Sequence, residues 1–139
     1  MTSPTAFALT AFVAWTLLLL VLMEIIRSKL VMTGEVAANE FAPDNANLSP
    51  FMQRLARAHA NCVEGLPVFG GLMLIALAVD LARITDGLAY YLLAARILQS
   101  LIHLLSTSAA AVTLRFSAFA VQIGIGVYWS AVLLQHLLT

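Results

Sequence analysis

Four long apolar segments, separated by shorter polar ones, dominate this sequence. A helix that crosses the hydrocarbon core of a bilayer needs roughly 20 mostly apolar residues. Between Ala6 and Met23 the only polar side chains are those of Thr10 and Thr16. The expected helices cover residues 5–30, 50–82, 86–107 and 115–138. The pattern therefore predicts an all-α, four-transmembrane-helix bundle that occupies residues 1–139 as a single domain.

Three connections separate these helices, one long and two short. Residues 33–49 are rich in Gly, Asn, Pro and Asp, which is typical of a polar loop outside the lipid. Residues 83–87 suggest a tight turn in which Thr85 or Asp86 caps the third helix. Residues 106–114 are expected to link the third helix to the fourth.

The distribution of basic residues predicts which loops face the cytoplasm, because short cytoplasmic loops carry an excess of Lys and Arg. The first loop is flanked by Arg27, Lys29, Arg54 and Arg57. Arg115 lies beside the third loop, whereas the second loop offers only Arg83. We therefore expect the first and third loops in the cytoplasm and both termini on the other side. The short loops and the simple N-terminus favour a bacterial inner membrane.

Composition agrees with a membrane protein and argues against several classes of partner. The chain is 62% hydrophobic and only 10% charged, too few charges to coat a water-facing surface. Seven basic residues balance seven acidic ones, so no net field would attract nucleic acid. The single cysteine, Cys62, cannot form an intrachain disulfide and is interpreted as a small packing residue. No metal is expected.

The second helix carries a stripe of polar residues. At about 100° per residue, positions 54, 57, 61, 64 and 68 share one narrow face. Arg57, Asn61 and Glu64 thus point the same way, whereas His59 points elsewhere. In an alternative interpretation, Arg54 and Arg57 are interfacial anchors whose charged ends reach the lipid headgroups.

The same helix contains Pro67, flanked by Gly65, Gly70 and Gly71. Proline and glycine are tolerated in transmembrane helices where a kink or a close approach to a neighbouring helix is needed. We therefore expect an irregular, closely packed segment at this point.

The third helix repeats the polar stripe with Arg96, Gln99, Ser100 and His103 at i, i+3, i+4 and i+7. Arg96 lies near the middle of its span, where an unpaired charge costs at least about 2.5–3.5 kcal/mol. We therefore predict that Arg96 turns inward and forms an ion pair with Glu64. The pair could serve only to lock the two helices together.

Together these side chains predict a polar pocket for an anionic ligand at the cytoplasmic ends of the helices. The guanidinium group is always charged and binds carboxylates through two parallel hydrogen bonds. Glu64 and Asn61 would contact an ammonium or amide group. A ligand with carboxylates, an amine and peptide bonds would satisfy this set. Glutathione is such a molecule, although the spacing alone does not name it.

The segment from Arg54 to Phe69 resembles the signature of the MAPEG family, the membrane-associated proteins of eicosanoid and glutathione metabolism. It follows the pattern Arg-x-x-Arg-Ala-His-x-Asn-x-x-Glu-x-x-Pro-x-Phe at the start of the second helix. Arg96 and Arg115 extend the likeness over nearly the whole chain. The resemblance implies a homotrimer embedded in membrane lipids, with a lipophilic small molecule entering between subunits.

The resemblance also implies an activity and roles for individual residues. Glutathione would be the co-substrate of a transferase or peroxidase that acts on lipophilic electrophiles. Arg115 matches the arginine that stabilises the glutathione thiolate, so it is the expected catalytic residue. A free thiol has a pKa of about 8.5, which a neighbouring cation lowers. The implied glutathione-binding residues are Arg27, Arg57, Asn61, Glu64, Gln99 and His103.

Some positions depart from the family pattern. Ala60 stands where several family enzymes have a basic residue, and His103 replaces a tyrosine that contacts the ligand. Phe116 and Phe119 follow Arg115, where some enzymes have Ser and Tyr. These differences favour the alternative of a non-catalytic lipid-binding protein, a scaffold or an accessory subunit of a larger membrane complex. A transporter is less favoured, because one short bundle without a repeat offers little for alternating access.

Overall fold

The computed structural model describes residues 3–139, so Met1 and Thr2 of the predicted domain lie outside the described residues. Its four long helices confirm the predicted all-α fold, and each is long and apolar enough to cross a membrane. Their bounds are α1 Pro4–Met32, α2 Pro50–Ala78, α3 Ala82–Leu105 and α4 Ala109–Leu138.

Helix α1 begins at a double cap. The backbone N–H of Ala6 donates to Ser3 Oγ at 3.0 Å, and Pro4 occupies the first turn, where its missing N–H has no consequence. The second contribution comes from α3: the N–H of Thr5 donates to Asp86 Oδ1 at 3.0 Å. The Thr5 hydroxyl also contacts Asp86 Oδ1 and Thr85 Oγ1, each at 2.6 Å. A carboxylate at this place stabilises the positive end of the helix dipole.

The predicted turn at residues 83–87 is therefore wrong. Helix α2 ends in a Schellman motif, in which the N–H of Leu81 donates to Ala76 O at 2.8 Å. Asp80, with φ of 59°, supplies the left-handed residue that this motif requires. Because the chain reverses within residues 79–81, α3 starts at Ala82, and Thr85 and Asp86 lie inside it.

Helix α2 is interrupted by the π-helical segment Leu66–Gly70, at the predicted irregular point. Pro67 has no N–H to donate to the preceding turn, so the regular i to i−4 ladder cannot continue there. A single π turn of this kind is a common feature at functional sites. It divides α2 into a polar first part, Pro50–Gly65, and an apolar second part, Gly71–Ala78.

Helix α4 starts earlier than the predicted residue 115. The N–H of Ala111 donates to Ser108 Oγ at 3.2 Å, which caps the helix, and the alanines that follow are strong helix formers. Only residues 106–108 remain as a connection. Arg115 consequently lies within a regular helix, and its direction is set by the helix.

The core lies where the four helices meet, and its large buried side chains are Phe12, Leu55, Met73, Leu92 and Trp129. The outer faces are also apolar, with Leu17, Ile25, Val121 and Leu134 among the exposed side chains. Exposed apolar side chains on all sides suit a surface in contact with lipid. The polar side chains of the membrane-spanning segments therefore cluster inside the bundle.

Candidate functional site

A cavity of about 760 Å³ opens along α2, α3 and α4. One end is polar and is formed by Asn61, Glu64, Arg96 and Gln99. The remainder is largely apolar and includes Val68, Phe69, Leu72, Phe119, Ile123 and Val127. The cavity therefore suits a polar group at one end and an apolar group along its length.

The most unusual residue of the cavity is Arg96, which is only 1% exposed. Its Nη1 donates to the backbone oxygen of Asn61 at 3.2 Å. Its Cζ lies 5.3 Å from the centre of the Phe12 ring and 5.8 Å from that of Phe69. Such cation–π contacts offset part of the cost of burying the charge. Nε and Nη2 have no hydrogen-bond partner within residues 3–139.

The predicted ion pair between Arg96 and Glu64 is not formed in the single chain. Within the described part of the chain, the one salt bridge joins Arg27 to Glu24, at 3.2 Å. Arg96 does turn inward as expected, but a carbonyl oxygen and two aromatic rings surround it. Glu64 lines the same cavity and stays exposed. The burial of the Arg96 charge was predicted correctly, whereas the predicted partner, Glu64, was wrong.

Gly65 makes room for the Arg96 guanidinium. A Cβ atom at Gly65 would lie 2.5 Å from Nη2 and 3.1 Å from Cζ of Arg96, which is too close for an undisturbed side chain. Gly65 was expected only to allow close helix packing, and its link to the site was not predicted. Its place one helical turn after Asn61, directly beside the polar stripe, was the available signal.

A second polar cluster joins three helices beside the cavity. Nη1 of Arg115 lies 3.0 Å from Nε2 of His103, and Nδ2 of Asn61 lies 3.3 Å from Nδ1 of the same ring. His103 is only 3% exposed. The structure therefore brings together Asn61 from α2, His103 from α3 and Arg115 from α4.

The chemistry of these groups fixes the tautomer of His103. A guanidinium has only donors, so Nε2 of His103 must be the acceptor for Arg115. In the neutral ring the proton then lies on Nδ1, which must donate to Asn61. The two ends of an amide are exchangeable in assignment, so a flip of the Asn61 amide would present its oxygen to this proton.

Gln99 lines the cavity and accepts a hydrogen bond from Gln122 Nε2 at 2.9 Å. Gln122 is fully buried, and its Oε1 has no partner among residues 3–139. Gln122 was not among the predicted site residues, although a large amide in an otherwise apolar segment was a signal. Nearby, Cys62 Sγ lies 3.3 Å from Ser100 Oγ, which fits a packing role for the cysteine.

Four of the predicted site residues do not line the cavity: His103, Arg115, Arg57 and Arg27. Arg115 contacts His103 next to it, and Arg57 is exposed on the surface of α2. Arg27 holds the first loop: its Nε donates to Asn45 Oδ1 at 3.0 Å, and its guanidinium lies over the Phe41 ring. The glutathione contacts expected of Arg27 and Arg57 therefore remain predictions.

These features define an integral membrane protein, a four-helix bundle with a polar cluster inside it. Residues 5–134 match the MAPEG family, and the chain belongs to that family. This confirms the resemblance found in the sequence. The family covers glutathione transferases, glutathione peroxidases and related activities. No curated protein and no solved structure matches the chain.

Proposed function

We propose that this protein binds glutathione at the polar end of the cavity and uses it as a co-substrate against lipophilic electrophiles, as a transferase or peroxidase. Membership of the MAPEG family supports glutathione as the ligand. The observation that carries the proposal is the pair of unpartnered nitrogens of the buried Arg96, beside a cavity large enough for a ligand.

A buried donor without a partner has lost its hydration and gained nothing in return, at a cost of about 1–3 kcal/mol or more when it is charged. A ligand carboxylate would satisfy Nε and Nη2 of Arg96 through two parallel hydrogen bonds. Glu64, exposed at the same end of the cavity, would accept a hydrogen bond from the ammonium group of glutathione. The two residues would thus bind opposite charges of one ligand.

Arg115 would stabilise the thiolate of the bound glutathione. A guanidinium has five N–H donors, and the contact with His103 uses only one of them. A cation beside the thiol lowers the thiol pKa toward neutrality and so raises the fraction of nucleophilic thiolate. The apolar wall of the cavity would hold the electrophile in reach of this thiolate, which removes much of the entropic barrier.

The proposal includes a homotrimer. In the single chain neither Arg57 nor Arg115 lines the cavity, and Glu64 is exposed. Assembly of protomers would complete each site with residues of a neighbour, and a lipophilic substrate would enter from the surrounding lipid. We place the first and third loops in the cytoplasm of a bacterial cell, since Arg54, Arg57 and Arg115 gather at that end of the bundle.

A second candidate function is a non-catalytic one, as a lipid-binding protein or an accessory subunit of a larger membrane complex. The position of Arg115 outside the cavity favours it, because Arg96 is then the one cation among residues 3–139 that lines the cavity. The apolar lining of most of the cavity would suit a lipid chain equally well.

Ultraviolet absorbance of the thiolate distinguishes these functions. The detergent-purified protein is mixed with glutathione, and turnover is then measured with a chromogenic aryl halide and with an organic hydroperoxide. An enzyme should form thiolate and turn over at least one substrate, and Arg115→Ala should abolish both. Arg83→Ala is the matched control, because Arg83 is exposed near the start of α3, at the opposite end of the bundle. A wild-type protein that retains lipid and forms no thiolate would favour the non-catalytic function.

A further inference from the structure

The buried ring of His103 has both nitrogens engaged by the protein. Arg115 lies 3.0 Å from Nε2 and the side-chain amide of Asn61 lies 3.3 Å from Nδ1. With 3% of its surface exposed, the ring offers no free polar atom to a ligand. The direct glutathione contact predicted for His103 would require one of these two contacts to break.

We infer that His103 is a positioning residue, which holds the guanidinium of Arg115 in one place beside the proposed glutathione site and links it to Asn61. This inference rests on the proposed function, because it assigns to His103 the orientation of the proposed thiolate-stabilising group. It differs from the predicted role, in which His103 itself would touch glutathione.

Arg115 needs such support because of its place in the fold. It projects from α4 between the apolar neighbours Leu114 and Phe116, and its buried Nε has no partner among residues 3–139. A free arginine side chain samples many rotamers, and that freedom must be lost before it can hold a thiolate in one geometry. A fixed acceptor at Nη1 removes part of this freedom in advance and leaves the other donors available.

The surroundings require His103 to act as a neutral acceptor. Arg115 from α4 contacts the ring, and Arg54 from α2 donates to the backbone oxygen of the adjacent Leu104 at 2.9 Å, so a second guanidinium group lies near it. Within the described residues no carboxylate forms a hydrogen bond or salt bridge with it. A protonated ring would lose its acceptor and would place two cations 3.0 Å apart. The ring therefore supports Arg115 only through its lone pair on Nε2.

The glutathione thiol itself reports the orientation of Arg115. The pKa of the bound thiol is measured from thiolate absorbance across a pH series in wild type, His103→Ala, His103→Gln and the control His136→Ala. His136 is an exposed histidine at the far end of α4. We expect His103→Ala to raise the thiol pKa by about one unit, which leaves roughly tenfold less thiolate well below that pKa. Glutathione affinity measured well below the pKa of the bound thiol, where the thiol binds in its neutral form, should change less than twofold.

His103→Gln should restore a thiol pKa close to that of wild type, because the amide oxygen of Gln can accept from Arg115. A purely structural role would not be rescued in this way. A wild-type thiol pKa in His103→Ala would overturn the inference. So would loss of glutathione binding in both His103 variants when thermal unfolding shows that they are folded, since this would make His103 a direct ligand contact.

A second readout does not depend on glutathione. Phenylglyoxal modifies accessible arginines, and peptide mass spectrometry follows Arg115 separately from the other arginines. Arg115 should react several-fold faster in His103→Ala and at the wild-type rate in His103→Gln. An unchanged rate in His103→Ala would overturn the inference by itself. Failure of the wild-type protein to form any thiolate would instead refute the proposed function, and the positioning role assigned to His103 with it.

Discussion

Nη2 of Arg96 lies 2.5 Å from the place that a Cβ atom of Gly65 would occupy. The guanidinium of Arg96, which projects from α3, thus reaches α2 at Gly65, where α2 has no side chain. This contact places the charge of Arg96 at the polar end of the cavity, next to Asn61 and between two aromatic rings. The geometry makes Gly65 part of the candidate site.

Gly65→Ala should displace Arg96 and weaken glutathione binding, because the new methyl group would overlap the guanidinium. Overpacking of this kind also destabilises a fold by about 1–3 kcal/mol. Calorimetric titration with glutathione and thermal unfolding in detergent measure the two effects. Gly71→Ala is the control on the same helix, since a Cβ there meets nothing within 4 Å. If Gly65→Ala and Gly71→Ala had the same glutathione affinity and the same melting temperature, the contact between Gly65 and Arg96 would have no role in binding or stability.

Arg96→Met should separate binding from stability. Arg96 forms no ion pair within residues 3–139, so its replacement by an apolar side chain of similar volume removes a buried charge without leaving another charge unpaired. We therefore expect a melting temperature at or above that of wild type, together with a loss of glutathione affinity of at least about tenfold, or 1.4 kcal/mol. Arg83→Met controls for the general loss of an arginine. Retained affinity in Arg96→Met would remove the main support for the proposed ligand.

Asp86→Ala should destabilise the fold, because Asp86 caps α1. Glutathione binding should not change, because Asp86 lies at the end of the bundle that contains the turn 79–81 and the start of α3. Loss of a helix cap costs about 0.5–2 kcal/mol. Thermal unfolding is compared with that of Glu40→Gln, an exposed change in the first loop. A wild-type melting temperature in Asp86→Ala would contradict the capping role.

Asn45→Ala should loosen the first loop. The Asn45 side chain is fully buried, accepts from Arg27 and donates to the backbone oxygen of Met52 at 2.8 Å, so it joins the loop to both neighbouring helices. We expect limited proteolysis to cleave residues 33–49 several-fold faster in this variant. Ala46→Ser, an exposed neighbour, should leave the rate unchanged. Equal rates in the two variants would show that Asn45 does not hold the loop.

The sequence by itself determined the four spans, the polar stripes of α2 and α3, and the family. Hydropathy and the helical period are local properties, so a run of apolar residues or an i, i+3, i+4, i+7 pattern can be recognised without knowledge of the rest of the chain. The burial of Arg96 followed from the same local argument, because a charge at that depth cannot face lipid.

Only the tertiary structure decided which groups meet. Arg96 contacts a backbone carbonyl and two aromatic rings instead of Glu64, and Asp86 caps α1 instead of α3. The contact between His103 and Arg115 likewise depends on an early start of α4, which sets the direction of Arg115. Contacts of this kind depend on how far each helix is rotated and shifted against its neighbours, and sequence spacing within one helix does not specify that relation.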